Sequence, residues 1–342
     1  MNIYFILTFT LLLSSCLKDK DSSEVWRFAL EEIEGSVQDA YAKKFKKLIE
    51  KRTENVRVEI YPYGTLGSSD NLTELVENGA VHFAHASPGY IGKMLPEVQV
   101  FLLHYLLPSD SQVNQLLLAP ESQVVEIFEP LYAKKGYQLI GFYPEGWMVW
   151  TTNKPVRKPE DFQGLKMRVM TTSLLLATYK AYGANPTPMA YSEVYSGLQL
   201  KMIDGQVNPV FAIEEMSFYE VTDYMIFPDH AQFITSVIAN DDFYQNLSSE
   251  RKKIVDETFK ELHDYIYDTQ KKYNLERMKI IKKKKPTLEI IELTEEEKKS
   301  FKNRSKEAWN LYLEKTPKHG QKILETIREE KEQLKEKLKE RL

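Results

Sequence analysis

Between residues 25 and 86 the chain alternates between two hydrophobic periods, and that alternation restricts its fold more than any other feature. Residues 25–30 read as a strand. Residues 36–51 read as a helix, with Ala40, Tyr41, Phe45, Leu48 and Ile49 on one face. Residues 56–61 alternate cleanly as a second strand, Gly64 and Gly67 make a turn, and residues 71–78 form a short helix closed by Gly79. Residues 81–86 supply a third strand. A strand–helix–strand–helix–strand order favours parallel strands with crossover helices, an α/β architecture.

The later pattern predicts a largely helical stretch over 109–135, a strand over 137–143 and another over 148–153. After a connector at 155–164 come a strand at 166–170, a helix at 173–182, a helix at 192–200 with Ser192 as its N-cap, and a short strand at 202–207. A helix starts at 211–219, a strand at 235–240 crosses back, and Ser248 or Ser249 caps a long helix that runs to about residue 283. Thr294 and Glu297 have capping-box spacing, and the chain ends in a charged helix from about 317 to 342 with a thin stripe of Leu334, Leu338 and Leu342. Several crossings between two lobes make a hinge, and a hinge permits closure around a ligand.

Arg168 stands in the apolar run Gly164-Leu165-Lys166-Met167-Arg168-Val169. Arginine stays charged and presents five donors in a planar fork that suits a carboxylate. No acid lies beside it in sequence, which points to an anion supplied from outside the chain. Downstream lie two turn-rich segments, Gly183 to Met189 and Asp204-Gly205-Gln206-Val207-Asn208-Pro209.

The 342 residues suffice for two lobes, and 42% hydrophobic with 28% charged residues fits a globular protein. A net charge of −4 argues against a nucleic-acid partner. The single cysteine, Cys16, follows fifteen residues without a charged side chain, an apolar run short for the roughly 20 residues of a bilayer span. Residues 1–15 are expected to be a cleaved signal peptide. Leu13-Ser14-Ser15-Cys16 resembles a lipoprotein signal, so Cys16 is the expected lipidation site, with 16–24 as the tether of a periplasmic, membrane-anchored protein. His82 and His85 point to opposite faces of a strand, so no metal site is expected, and no nucleophile or phosphate-loop motif suggests an enzyme.

Three blocks carry a resemblance: Tyr61-Pro62-Tyr63-Gly64-Thr65-Leu66-Gly67, Gly164 to Val169, and Pro186 to Pro209. In that order and spacing the chain, from about residue 26 to about 325, resembles the DctP-type solute receptors of tripartite ATP-independent periplasmic (TRAP) transporters. The resemblance implies a two-lobed periplasmic-binding-protein-like fold with a hinge and a long bridging helix. The lobes would comprise 25–147 plus about 232–272, and 148–231 plus about 273–328, with 329–342 a charged helical extension. Arg168 matches the arginine that grips a ligand carboxylate, Asn208 the ligand-contacting amide, and Tyr191 an aromatic against the ligand. Thr171 and Ser87 are further candidates, and Trp147, Trp150, Tyr90 and Phe211 could wall the pocket. Met148 stands where many relatives carry a second arginine. Glu31, Glu32 and Glu34 occupy a loop that commonly borders the cleft, where they repel a dianion unless they point away. A monocarboxylate with an apolar body, or a zwitterion, then fits better than a dicarboxylate or sialic acid.

The expected function is capture of a small organic acid by lobe closure and its delivery to TRAP membrane permease subunits. No cofactor and no chemistry on the ligand are implied. A second reading keeps the fold as a scaffold or sensor, and the C-terminal helices offer a contact for a second copy.

Overall fold

The computed structural model describes residues 23–340, so the signal segment, Cys16 and nearly all of the tether lie outside the described residues. Ten strands follow in chain order: β1 Glu24–Ala29, β2 Val56–Tyr61, β3 Phe83–Ala86, β4 Tyr137–Thr152, β5 Lys166–Val169, β6 Asn185–Pro188, β7 Gly205–Pro209, β8 Tyr224–Phe227, β9 Gln232–Asn240 and β10 Glu289–Glu292. They join edge to edge as β2-β1-β3-β9-β4-β7-β5-β6, with β8 on β4 and β10 on β8. β1 pairs in parallel with β2 and β3, as the crossover pattern requires, whereas β9 runs antiparallel to β3 and β4.

β4 is one strand, not the two that Pro144 and Gly146 suggest. Register shifts at Leu139/Gly141 and Pro144/Gly146 absorb the residues that cannot sit in a regular ladder. Gly146 takes φ 147°, and Asn274 Nδ2 donates to the neighbouring Glu145 carbonyl at 2.8 Å. β4 pairs with β9 as far as Trp147 and with β7 from Met148 onward, so a single strand serves both lobes. Such a strand can act as a hinge while keeping its hydrogen bonds.

The bridging helix Ser249–Lys284 runs 36 residues, about 54 Å at 1.5 Å per residue. Ser248 caps it by accepting from Arg251 N. Val255, Phe259, Leu262 and Ile266 form its buried stripe against the first lobe, whose core gathers Trp26, Phe28, Tyr41, Phe45 and Phe83. Towards its far end Ile281 joins the second lobe's core with Val149, Val194 and Ile213. There Arg277 and Lys284 reach Glu214 at 3.1 and 3.0 Å, from the helix Val210–Glu215.

Three further elements differ from the pattern. The helical stretch 109–135 breaks at Ala119-Pro120 into Ser111–Leu117 and Gln123–Ala133. Asn185–Pro188 is a strand at the sheet edge, where its two prolines leave no ladder bond unmade. Ser192 lies inside the turn Tyr191–Glu193 and is not the cap of the helix Val194–Gln199.

The terminal helix Gly320–Lys339 packs on the first lobe, although its sequence position suggested a free extension, whereas Lys306–Lys315 lies against both the second-lobe helix Ser173–Ala181 and the first-lobe turn Pro96–Leu102. Trp309 Nε1 donates to the His104 carbonyl at 3.3 Å. Glu330 accepts from the amides of Gln123 and Val124 at 3.1 and 3.0 Å, placing a carboxylate on the N-terminus of the helix Gln123–Ala133.

Candidate ligand-binding site

β5 places Arg168 at the cleft while Met167 and Val169, one residue either side, point into the core. Two features hold β7 beside it. Asp204 Oδ2 accepts from Lys166 N at 2.9 Å, and Gly205 packs so closely that a Cβ there would lie 2.7 Å from both Met167 Sδ and the Thr151 carbonyl. β7 thereby brings Asn208 and Pro209 to the wall that Arg168 occupies.

Arg168 is 2% exposed, and its Nε donates to the Met189 carbonyl at 3.0 Å. Tyr90 and Tyr191 flank the guanidinium. Among the described residues no carboxylate lies within ion-pair distance of it, and burial lowers its pKa. The chain thus carries a buried positive charge without an internal counter-ion, which costs free energy unless an anion arrives.

The facing wall carries acids. Glu31 Oε2 accepts from Ser87 N at 3.0 Å, while Oε1 has no donor. Burial pushes the Glu31 carboxyl up to about 8. Burial, then the neighbouring Glu145, pushes Glu32 well above the usual carboxyl range, and Glu32 Oε2 also lacks a donor. Gln38 ties the group together: its Oε1 accepts from Glu31 N at 2.8 Å, and its Nε2 donates to Glu145 Oε1 at 3.0 Å. Glu145 Oε2 is a third buried carboxyl oxygen without a donor. Arg168 and the Glu31–Glu32 pair line one cavity, with Met170 and Phe233 on its apolar side. Such a site presents donors at one end and unmet acceptors at the other.

Of the residues predicted from sequence, Arg168, Asn208, Tyr191 and Tyr90 meet in this cavity. Asn208 Nδ2 donates to Gln206 Oε1 at 2.5 Å, which turns its Oδ1 to other partners. The others lie elsewhere. Thr171 is exposed, and Met170 takes the lining position beside Arg168. Ser87 contributes its backbone N–H to Glu31, and its buried hydroxyl has no partner. Met148 lines an adjoining cavity that shares Met170 and Phe233 with the first. Trp147 lines neither, Phe211 is fully buried in the first-lobe core, and Trp150 is buried with its Nε1 on the Tyr179 hydroxyl. Glu34 points to solvent and pairs with Lys43, but Glu31 and Glu32 do not point away. Their role as lining residues, and those of Gln38 and Phe233, are additions the structure makes. The signal was present: paired carboxylates just past the C-terminal end of a parallel strand, where α/β sheets open their clefts.

A strand shared by two lobes, with a buried charge left unpaired beside it, is the layout of a protein that binds a small solute. Comparison with known proteins gives the same class. The family model for bacterial extracellular solute-binding protein, family 7 (DctP), matches residues 28–316. The chain is 38% identical over 306 residues to the ectoine-binding periplasmic protein TeaA of Halomonas elongata, covering 90% of this chain and 89% of TeaA. It is equally 38% identical over 306 residues to the ectoine/5-hydroxyectoine-binding periplasmic protein UehA of Ruegeria pomeroyi, covering 90% of each. The fold matches the high-resolution structure of the periplasmic ectoine-binding protein of the Halomonas elongata TeaABC TRAP transporter with a TM-score of 0.87 over 90% of this chain and 99% of that one. It matches the open apo form of a TRAP periplasmic solute-binding protein from Marinobacter aquaeolei VT8 with a TM-score of 0.84 at 41% identity, covering 89% and 99%. The chain belongs to family 7 of the bacterial extracellular solute-binding proteins, the DctP family.

Proposed function

We propose that this chain is the extracytoplasmic receptor of a TRAP transporter for a small zwitterion of the ectoine type. The observation that carries this reading is the charge layout of the cavity. An unpaired buried guanidinium faces buried carboxyl groups that have oxygens without donors. Ectoine is a cyclic amidinium carboxylate, with one anionic end, one cationic end bearing N–H donors, and an apolar ring edge. Its carboxylate suits the Arg168 fork, its amidinium suits Glu31 and Glu32, and its ring fits between Tyr191 and Phe233. A dicarboxylate would bring its second charge to Glu31 and Glu32, where it meets no cation and opposes their ionisation, and that mismatch supplies specificity. The 38% identity to two ectoine-binding relatives supports the same choice.

Closure would come from β4, which both lobes share, and the loaded receptor would pass its ligand to membrane permease subunits. The Leu13-Ser14-Ser15-Cys16 motif supports export and a lipid anchor at Cys16. Calorimetric titration with ectoine and with succinate at pH 8 tests the reading. Ectoine should bind at least about a hundredfold more tightly, the equivalent of about 2.7 kcal/mol. Equal or tighter binding of succinate would overturn it.

A further inference from the structure

A second concavity, open to solvent, lies away from the ligand cleft. One wall comes from the helix Glu295–Arg304 and the start of the next, the other from the terminal helix Gly320–Lys339 and the loop of residues 105–109. The walls belong to different bodies. Arg157–Glu297 and Arg304–Glu160 ion pairs, at 3.1 and 3.3 Å, fasten the first wall to the second lobe. Glu330 fastens the terminal helix to the first lobe.

Six lysines line this groove against two acids, in a protein whose net charge is −4. Lys298 is neutralised by Asp229 and Glu295 at 2.6 and 2.9 Å, and Lys335 by Glu332 at 2.8 Å. Lys299, Lys302, Lys306 and Lys331 make no ion pair among the described residues. Lys331 is half-buried, with only a long 3.5 Å contact from its Nζ to the Leu106 carbonyl, and burial together with Lys335 lowers its pKa. Holding like charges together at a recessed site is unfavourable unless an anion joins them.

We infer that this groove is a docking site for an acidic, extended segment of a partner protein. Three observations favour that occupant. The groove is concave and Lys331 is half-buried within it, which disfavours contact with a flat lipid surface. The unpaired Lys299 and Lys302 stand one turn apart on the helix Glu295–Arg304, about 5–6 Å between side chains, close to the roughly 6.6 Å between alternate side chains of an extended peptide. The lining cations are all lysines, point charges that tolerate variable carboxylate geometry, with no arginine fork of the kind that selects a fixed planar partner.

The test is fluorescence anisotropy of the full chain with a labelled oligoglutamate peptide, in low salt and at about 0.3 M salt, where exposed charges are strongly screened. Saturable binding that weakens with salt is expected, and the double variant Lys302→Glu/Lys331→Glu should weaken it about tenfold or more. Lys299→Gln/Lys302→Gln changes only exposed side chains and serves as the milder variant if the charge reversal impairs folding; it should weaken binding severalfold. Tripolyphosphate and vesicles containing phosphatidylglycerol are run beside the peptide. Absence of peptide binding, binding indifferent to the variant that folds, or binding of tripolyphosphate or vesicles without the peptide would each overturn the proposal.

Discussion

Replacing Arg168 by methionine should move binding and stability by very different amounts. Methionine keeps an unbranched apolar stem of similar reach, so the variant leaves little cavity. Two terms then act on the ligand-free protein. The Met189 carbonyl loses its 3.0 Å donor, which costs about 1–3 kcal/mol for a buried group. Against that, a 2%-exposed guanidinium with no ion-pair partner disappears, relieving a burial penalty of several kcal/mol. The ligand-free variant should therefore be within about 2 kcal/mol of wild type, and it can be the more stable of the two. Ligand binding instead loses one side of a desolvated charge pair, about 3–5 kcal/mol, or roughly a hundredfold to a few thousandfold in affinity. Urea unfolding of the free protein and calorimetric titration with ectoine measure the two quantities separately. A variant destabilised by more than about 3 kcal/mol, with its affinity intact, would show that Arg168 is a structural residue neutralised from within, and the reasoning would fail.

Further expectations concern the opposite wall and the hinge. A cationic ligand end prefers ionised Glu31, whose carboxyl is pushed up to about 8, so affinity for ectoine should rise about tenfold from pH 6 to pH 7 and level off above 8. Glu31→Gln should flatten that profile and weaken binding at pH 8 by about ten- to a hundredfold, as titration across pH would reveal. In the free protein the sign reverses. The folded state keeps a proton on Glu31 that the unfolded chain releases above its ordinary 4.5, so this group's contribution to stability falls as pH rises from 4.5 to about 8. Saturating ectoine should reduce that loss, a difference read from melting curves at several pH values. Gly205→Ala would set a Cβ 2.7 Å from the Thr151 carbonyl and Met167 Sδ, and urea unfolding should show a loss of about 1–3 kcal/mol.

Much of the first lobe could be read from residue order because parallel β-α-β units announce themselves through a change of period, and β1, β2 and the helix between them follow that pattern. β4 could not, because Pro144 and Gly146 are local breakers that only a long-range partner, β9, keeps in a strand. Arg168 stood out because a charge in an apolar strand has few explanations. Asn208 and Tyr191 followed from a family motif. Phe211 and Trp150 were misjudged for one reason: an aromatic near a cleft in sequence can equally turn its ring into the core, and both do. Glu31 and Glu32 were legible as charges but not as binding groups. Their meaning depends on Gln38, Ser87 and Glu145, which come together only in three dimensions and leave carboxyl oxygens unmet.

A crystal structure of the protein with ectoine tests the central claim most directly. The ligand carboxylate should lie on the Arg168 guanidinium at about 2.7–2.9 Å, with the amidinium N–H groups turned to Glu31 and Glu32 across a closed cleft. A ligand bound in the reverse sense, or Arg168 paired to a protein acid while ectoine sits elsewhere, would contradict the account.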